Sequence, residues 1–277
     1  MGYMNKNHII LLCLLNTSLS MASDAEFQMG GGLMYFNYAE YLDNNRFLDG
    51  ETGFIPGVVL KRKQYQQNIY TELVGQLYGN RINYDGETWD GVPLKTDSVA
   101  IIIDTHLKVG MRLEQKHEPY IGLGYRYWYR NILSGYDANG AGVSGVLEEY
   151  YWPYWMFGFI VNINSSEAVK VGFDFRYTQM FDAKMDIDFL GYKGYDNTQV
   201  NLGNKSGARF AVPVKFKTRT NSLIVSPYYE IIDIGKSNVV GITKGGVPVT
   251  GCVSDPCRIY EPRSETRNVG IELTWLW

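Results

Sequence analysis

The chain has 277 residues, a formal net charge of −3 and 20% charged residues. That balance excludes a nucleic-acid binder, because phosphate binding needs a concentrated basic surface. Aromatic residues reach 14%, with 22 tyrosines, more amphipathic rings than a soluble core needs and a supply suited to two membrane interfaces.

Residues 1–22 have the layout of a secretory signal peptide. Lys6 makes a basic start, Ile9 to Leu15 an apolar run, and Ser20 and Ala22 supply the small residues before a cleavage site. That run is about seven residues long, against the roughly 20 of a spanning helix. Cleavage is expected after Ala22, taking Cys13 with it; an uncleaved anchor is the alternative. Residues 23–277 are then expected to form one β domain, its charge more negative by the loss of Lys6. No stretch after residue 22 approaches 18 consecutive apolar residues, so a membrane protein with this sequence must be a closed barrel, since lipid cannot satisfy open strand edges.

Period-two alternation marks strands with one wet and one dry face. The first expected strand, 28–41, is ambiguous: after Gly30-Gly31-Gly32, either Leu33/Tyr35 or Met34/Phe36/Tyr38 fits the inner face. Strands at 53–62 and 66–84 follow. In 97–113, Ile101, Ile103, Leu107, Val109 and Met111 oppose Asp104, His106, Lys108, Gly110 and Arg112. In 119–132, Ile121, Leu123, Tyr125, Tyr127 and Tyr129 oppose Gly122, Gly124, Arg126, Trp128 and Arg130. After 147–163 comes 168–181, where Val169, Val171, Phe173, Phe175 and Tyr177 oppose Lys170, Gly172, Asp174, Arg176 and Thr178. Strands 207–218 and 221–236 lead to 264–277, with Val269, Ile271, Leu273, Trp275 and Trp277 on one face and Asn268, Gly270, Glu272 and Thr274 on the other.

These spans predict an all-β fold: a closed antiparallel transmembrane β-barrel of about ten strands, with counts of eight or twelve left open. A soluble sandwich would favour Thr, Lys, Glu and Ser on its wet face. Here that face mixes Gly, Arg, Asp, Glu and His while the dry face ends in Tyr or Trp, which suits a polar lumen inside a lipid-facing wall. Short connections are expected around Lys63, Gln115, Ser165 and Asn221. Longer ones, rich in Gly, Asp and Asn, are expected at 42–52, 85–96, 133–146, 182–206 and 237–263. Short turns on the periplasmic side alternating with outer loops are the rule in bacterial barrels.

The ending Asn268-x-Gly270-x-x-Leu273-x-Trp275-x-Trp277 resembles the C-terminal signal read by the barrel-assembly machinery of outer membranes. With Gly31-Gly32-Leu33-Met34-Tyr35-Phe36 and the Gly124-Tyr125-Arg126-Tyr127 strand, it resembles the bacterial outer-membrane β-barrel superfamily of opacity-type and omptin-type proteins. The resemblance implies a bacterial outer-membrane location, lipid and lipopolysaccharide as surroundings, and that machinery as a partner in biogenesis.

Few constellations point to chemistry. Gly140 to Gly145 fits G-x-G-x-x-G by letter, but the dinucleotide motif needs a strand before it and a helix after it, and this copy falls in an expected outer loop. Omptin-type proteolysis uses aspartates and an Asp-His pair at the outer mouth. The three histidines here are His8 in the signal segment, His106 in mid-strand and His117 at an expected turn. Phospholipase-like barrels need a Ser/His pair near the outer leaflet, and no His-x-Ser element is present. Cys252 and Cys257 in the longest loop suit a disulfide of an oxidising compartment. Asp85, Glu87 and Asp90, with Asp182, Asp186 and Asp188, suit solvated loops, or the bridging of divalent cations at a lipopolysaccharide surface.

By register, Glu72, Asp104, His106, Lys108, Arg112, Arg126, Arg130, Asp174, Arg176, Lys215, Glu230 and Glu272 face the lumen. Enclosed charges must be paired or hydrated, which makes this set either a salt-bridged plug or a narrow conduit. Eight strands are filled and sixteen hold open water, so ten leans towards filled. The expectation is a non-enzymatic outer-membrane protein with no catalytic, cofactor or metal site, whose outer loops serve surface interaction with an extracellular ligand or envelope integrity. A narrow channel for small polar solutes or ions is the alternative, and an outer-membrane enzyme of unknown type the second.

Overall fold

The computed structural model describes residues 25–277 apart from 115, 165–167, 219–220 and 253–255. The signal segment 1–22 with Cys13, and the turn positions Gln115 and Ser165, lie outside the described residues.

Ten antiparallel strands form one wall: β1 (Ala25–Tyr41), β2 (Phe47–Gln66), β3 (Ile69–Glu87), β4 (Pro93–Met111), β5 (His117–Ile132), β6 (Val146–Asn164), β7 (Val169–Met180), β8 in two pieces (Ser206–Ala211 and Val214–Lys217), β9 (Ser222–Ile234) and β10 (Arg263–Leu276). Each strand pairs with its neighbours in sequence, and β10 returns to β1 from Gln28↔Leu276 to Tyr41↔Arg263. The ten strands therefore close into a barrel with no unpaired strand among the ten in the described residues, the form a strand structure must take in lipid.

Alternation sorts the two faces. Leu33, Leu77, Leu107, Ile121, Leu123, Phe157, Leu273 and Trp275 point outward and are exposed, an apolar surface matched to hydrocarbon. The ambiguous first strand places Met34, Phe36 and Tyr38 inside, buried, and Leu33 and Tyr35 outside. The inner set wins because it meets Trp128, whose ring lies 5.5 Å from Phe36 and 4.9 Å from Tyr38.

The inward glycines have a packing role. Tyr70 faces Gly110, Tyr154 faces Gly124, Tyr120 faces Gly158, and Tyr228 faces Gly270 in direct cross-strand register. Each tyrosine ring lies over its glycine, so a Cβ there would collide with it. Large rings laid across the lumen need neighbours without side chains, and this explains a wet face rich in both residue types.

Three boundaries differ from the sequence expectations. The turn expected around Lys63 lies at Gln67-Asn68, with Gln67 left-handed at φ 57°; Lys61 and Lys63 continue the inward alternation of β2 and hold it in the sheet. The strands also rise further towards the loop end, which shortens the first two loops to 42–46 and 88–92. The strand expected at 207–218 breaks at Val212-Pro213, because proline cannot donate to the ladder. There the Val212 amide bonds Pro227 O at 3.0 Å, and Pro213 O accepts from Gly172 N at 2.7 Å.

The segment 182–206, expected as a plain loop, carries a hairpin. Lys184–Asp188 pairs with the upper part of β6 and with Thr198–Asn201, extending the wall above β7. Its inward Met185, Ile187 and Val200 are buried in the main core with Ile232 and Ile234. The hairpin is held to the strand opposite where Gly203 and Gly235 exchange amide bonds of 3.0 and 2.8 Å. A Cβ on Gly203 would come within 2.9 Å of the Gly235 Cα, so only glycine fits that approach.

Candidate functional site

The lumen is organised in layers that follow from strand register. Nearest the turns, Lys108 pairs with Glu72 at 3.1 Å, and Lys63 and Arg112 share Glu118 at 2.6 and 3.3 Å. Above them Glu272 is gripped by Lys61 and Arg209, with Gln76 donating at 2.8 Å. At mid-height Arg126 spans Asp104 at 2.8 Å and Glu230 at 3.1 Å, while Arg176 reaches Glu230 at 3.1 Å. His106 contacts Asp104 through Nδ1 at 3.1 Å and Arg176 through Nε2 at 3.4 Å. This Asp-His pair is buried, and both ring nitrogens are engaged, so it offers no free base to a substrate.

A dry belt follows, in which Phe36, Tyr38, Trp128 and Tyr150 pack face and edge. Arg130 caps it, 1% exposed. Its guanidinium reaches Glu51 at 2.8 Å, Glu40 at 2.8 Å, Glu148 at 2.7 Å and Asp49 at 3.3 Å. Glu261, on the last loop, accepts hydroxyl bonds from Tyr38 at 3.0 Å and Tyr150 at 2.8 Å. Burial and the neighbouring Glu148 push the Glu261 carboxyl up to about 8. Two pockets at mid-height have volumes of about 30 and 20 Å³, room for a water or two.

Of the twelve residues picked by register, Glu72, Asp104, His106, Lys108, Arg130, Arg176, Glu230 and Glu272 are buried, Arg112, Asp174 and Lys215 line a cavity at the turn end and Arg126 a pocket at mid-height, but not all form ion pairs. Asp174 accepts from the Tyr120 hydroxyl at 2.8 Å, and Lys215 lines the turn-end cavity with Glu26 as the acid whose charge reaches it. Sequence reasoning missed Lys61, Lys63, Gln76, Glu118, Tyr154 and Arg209, which continue the inward alternation of their own strands. It also missed Glu40 and Glu148, at the ends of expected strands, and Asp49, Glu51 and Glu261, which fell in expected loops.

At the loop end the most distinctive feature is aromatic. Trp89, 65% exposed, stands 6.3 Å from Phe189 and 6.5 Å from Tyr192; Tyr195 lies 5.7 Å from Phe189 and 5.8 Å from Tyr192. Leu190, Gly191, Lys193 and Gly194 all have left-handed backbones, at φ 54°, 79°, 49° and 69°. For leucine and lysine that conformation is strained, and strain persists only where surroundings impose it. Asp196 supplies the anchor, accepting from Gly246 N at 2.8 Å, Gly245 N at 3.0 Å and Thr243 Oγ1 at 2.7 Å. Those donors hold its carboxyl below the usual range and tie the aromatic loop to the Thr243–Pro248 hairpin. The same final loop carries the Cys252–Cys257 disulfide.

Of the acids expected in loops, Asp85 and Glu87 lie in β3 and pair with Lys95 and Arg46, Asp186 lies in the hairpin and accepts from Gln199, and Asp182 pairs with Lys184. Among the described residues no three His, Cys, Asp or Glu side chains gather as a metal site. The Gly140–Gly145 motif lies on a short loop hairpin, Gly142–Val143 pairing with Gly135–Tyr136, and the strand β6 rather than a helix follows it. Of the C-terminal residues, Leu273, Trp275 and Trp277 are exposed outward, and Gly270 faces inward under Tyr228.

No protein-family profile and no curated protein matches this sequence. Among solved structures, the chain matches the outer membrane protease OmpT from Escherichia coli at a TM-score of 0.55 and 12% identity, over 93% of this chain and 98% of that one. The outer membrane protein OprG from Pseudomonas aeruginosa matches at a TM-score of 0.36, with 9% identity over 92% and 96% of the two chains. The Pseudomonas putida toluene transporter TodX matches at 0.37, with 7% identity over 91% and 89%. The last two scores are too low to support an inference. The fold is that of the bacterial outer-membrane β-barrels. The expectation of a non-enzymatic protein is corrected by the first of these matches, because a protease is built on this fold. The histidine positions bear on Asp-His and Ser-His chemistry alone, so they never excluded catalysis of other kinds.

Proposed function

We propose that the chain is an outer-membrane barrel that meets its partner at the cell surface, through the loop end rather than through its lumen. The observation that supports this reading is the contrast between the two. The lumen is layered with ion pairs and rings, whereas the loop end presents Trp89, 65% exposed, standing edge-on to the half-buried Tyr192 and to Phe189, which is rooted in the core, on a strained and anchored loop. Exposed apolar patches held in a fixed shape are characteristic of interaction sites. In the orientation proposed here the turns face the periplasm, the apolar belt meets lipid and lipopolysaccharide, and Trp275 and Trp277 serve recognition by the assembly machinery.

The test is binding of the purified barrel, reconstituted in lipid nanodiscs, to arrays of glycans and extracellular-matrix proteins. Binding that is lost in Trp89→Ala and Tyr192→Ala, with heat-modifiable mobility retained, is the expected result. Binding that survives both substitutions would overturn the aromatic face as the site. Because the OmpT match is a protease, the same material is incubated with a peptide library. Cleavage abolished by a rim substitution would replace adhesion by hydrolysis at the rim.

A further inference from the structure

The turn end of the lumen holds a cavity of about 500 Å³, within the range of small-ligand pockets. Its lining is polar and unbalanced, with nine lysine or arginine side chains against five aspartates and glutamates. Most of the cations are neutralised within the wall, including Lys61 and Arg209 on Glu272, Lys63 on Glu118 and Lys108 on Glu72.

Lys170 of β7 and Lys215 of β8 are not. They stand directly opposite each other in the sheet register, both line the cavity, and among the described residues neither has a carboxylate within ion-pair distance, Glu26 of the same cavity being the acid whose charge reaches Lys215. Like charges set directly across two strands destabilise the pairing. The same strands could relieve the repulsion by carrying an acid at either position, as β2 and β3 do where Lys63 stands opposite Glu72. An anion seated between the two lysines would offset it equally well.

We propose that this vestibule binds a small multivalent oxyanion, phosphorylated or polycarboxylate, with Lys170 and Lys215 as its principal ligands. The reading of the turn end as periplasmic decides only where the anion comes from; binding itself is measured on the purified barrel and is indifferent to what the loops bind. Charge-assisted hydrogen bonds to oxyanions are among the stronger polar contacts, and bound anion stabilises the fold by mass action.

The experiment uses the purified chain in zwitterionic lipid nanodiscs, with inorganic pyrophosphate and citrate as probes and chloride at matched ionic strength as the control. Wild type is expected to bind at least one probe by calorimetry and to melt at a higher temperature in its presence. In Lys170→Gln/Lys215→Gln, affinity should fall on the order of tenfold or more and the melting shift should disappear. Lys215→Glu should pair with Lys170, abolish binding and raise the melting temperature without any probe. A preference for pyrophosphate or for citrate identifies the anion class. Absence of binding to wild type, or equal shifts in wild type and the double variant, would overturn the proposal.

Discussion

Replacing Arg130 by methionine tests the filled lumen where it is driest. The guanidinium is 1% exposed and Glu51 beneath it 0%, so solvent screens neither, and four carboxylates converge on the one cation. Methionine keeps most of the volume but leaves Glu51, at 2.8 Å, without its counter-ion. Removing one partner of a buried pair costs about 3–5 kcal/mol. Lysine, a point charge that cannot fork to several acids, should fall between methionine and wild type. Urea unfolding in lipid vesicles, followed by tryptophan fluorescence, gives the free energy, and gel mobility after heating gives an independent midpoint. Arg130→Met/Glu51→Gln should recover part of the loss, since the stranded charge is then gone. A loss below about 1 kcal/mol, the range of exposed pairs, would refute the dry plug and imply a hydrated lumen.

Three further expectations follow from the loop end. Glu261 has its carboxyl raised to about 8, above its unfolded value. Its contribution is therefore fully present below the ordinary carboxylate range and lost as pH climbs through about 8. Glu261→Gln should flatten the stability–pH curve over that window and be the more stable protein at its alkaline end; an unchanged slope would contradict the assignment. Gly235→Val should part the hairpin from the wall, because the backbones touch at Gly203, and limited proteolysis should then nick residues 182–206 faster than in wild type. Alkylation without reductant should label neither Cys252 nor Cys257, and two reactive thiols in periplasm-exported protein would refute the bridge.

The barrel was legible because its signal repeats. Ten spans of alternation each report a face, and a one-residue slip would turn Leu273 and Trp275 inward, so register is readable wherever the outer face is continuously apolar. It failed to resolve in β1, where three glycines precede residues apolar on both faces; the packing of Met34, Phe36 and Tyr38 on Trp128 decides it, and that contact is remote in sequence. Of the lumen, the charged residues of the central strands could be picked out, but not their pairing, which depends on which strands face each other across the barrel. The acids around Arg130 were hidden because strands run on above the apolar band, where alternation loses its lipid-facing half. The hairpin at Lys184–Asp188 did leave a trace, in Met185, Ile187 and Phe189 alternating with Lys184, Asp186 and Asp188. Nothing local foretold the aromatic face, which joins residue 89 to residues 189–195.

Single-channel recording in planar lipid bilayers tests the central claim most directly. With ion pairs at mid-height and Arg130 sealed among four acids above a ring-packed belt, the reconstituted protein should show no steady conductance. Occasional flickering from loop motion is compatible with a filled lumen. Stable, ohmic channels whose ion selectivity changes in Arg126→Ala, together with an unaltered unfolding midpoint for that variant, would contradict the account and make the lumen the working part of the molecule.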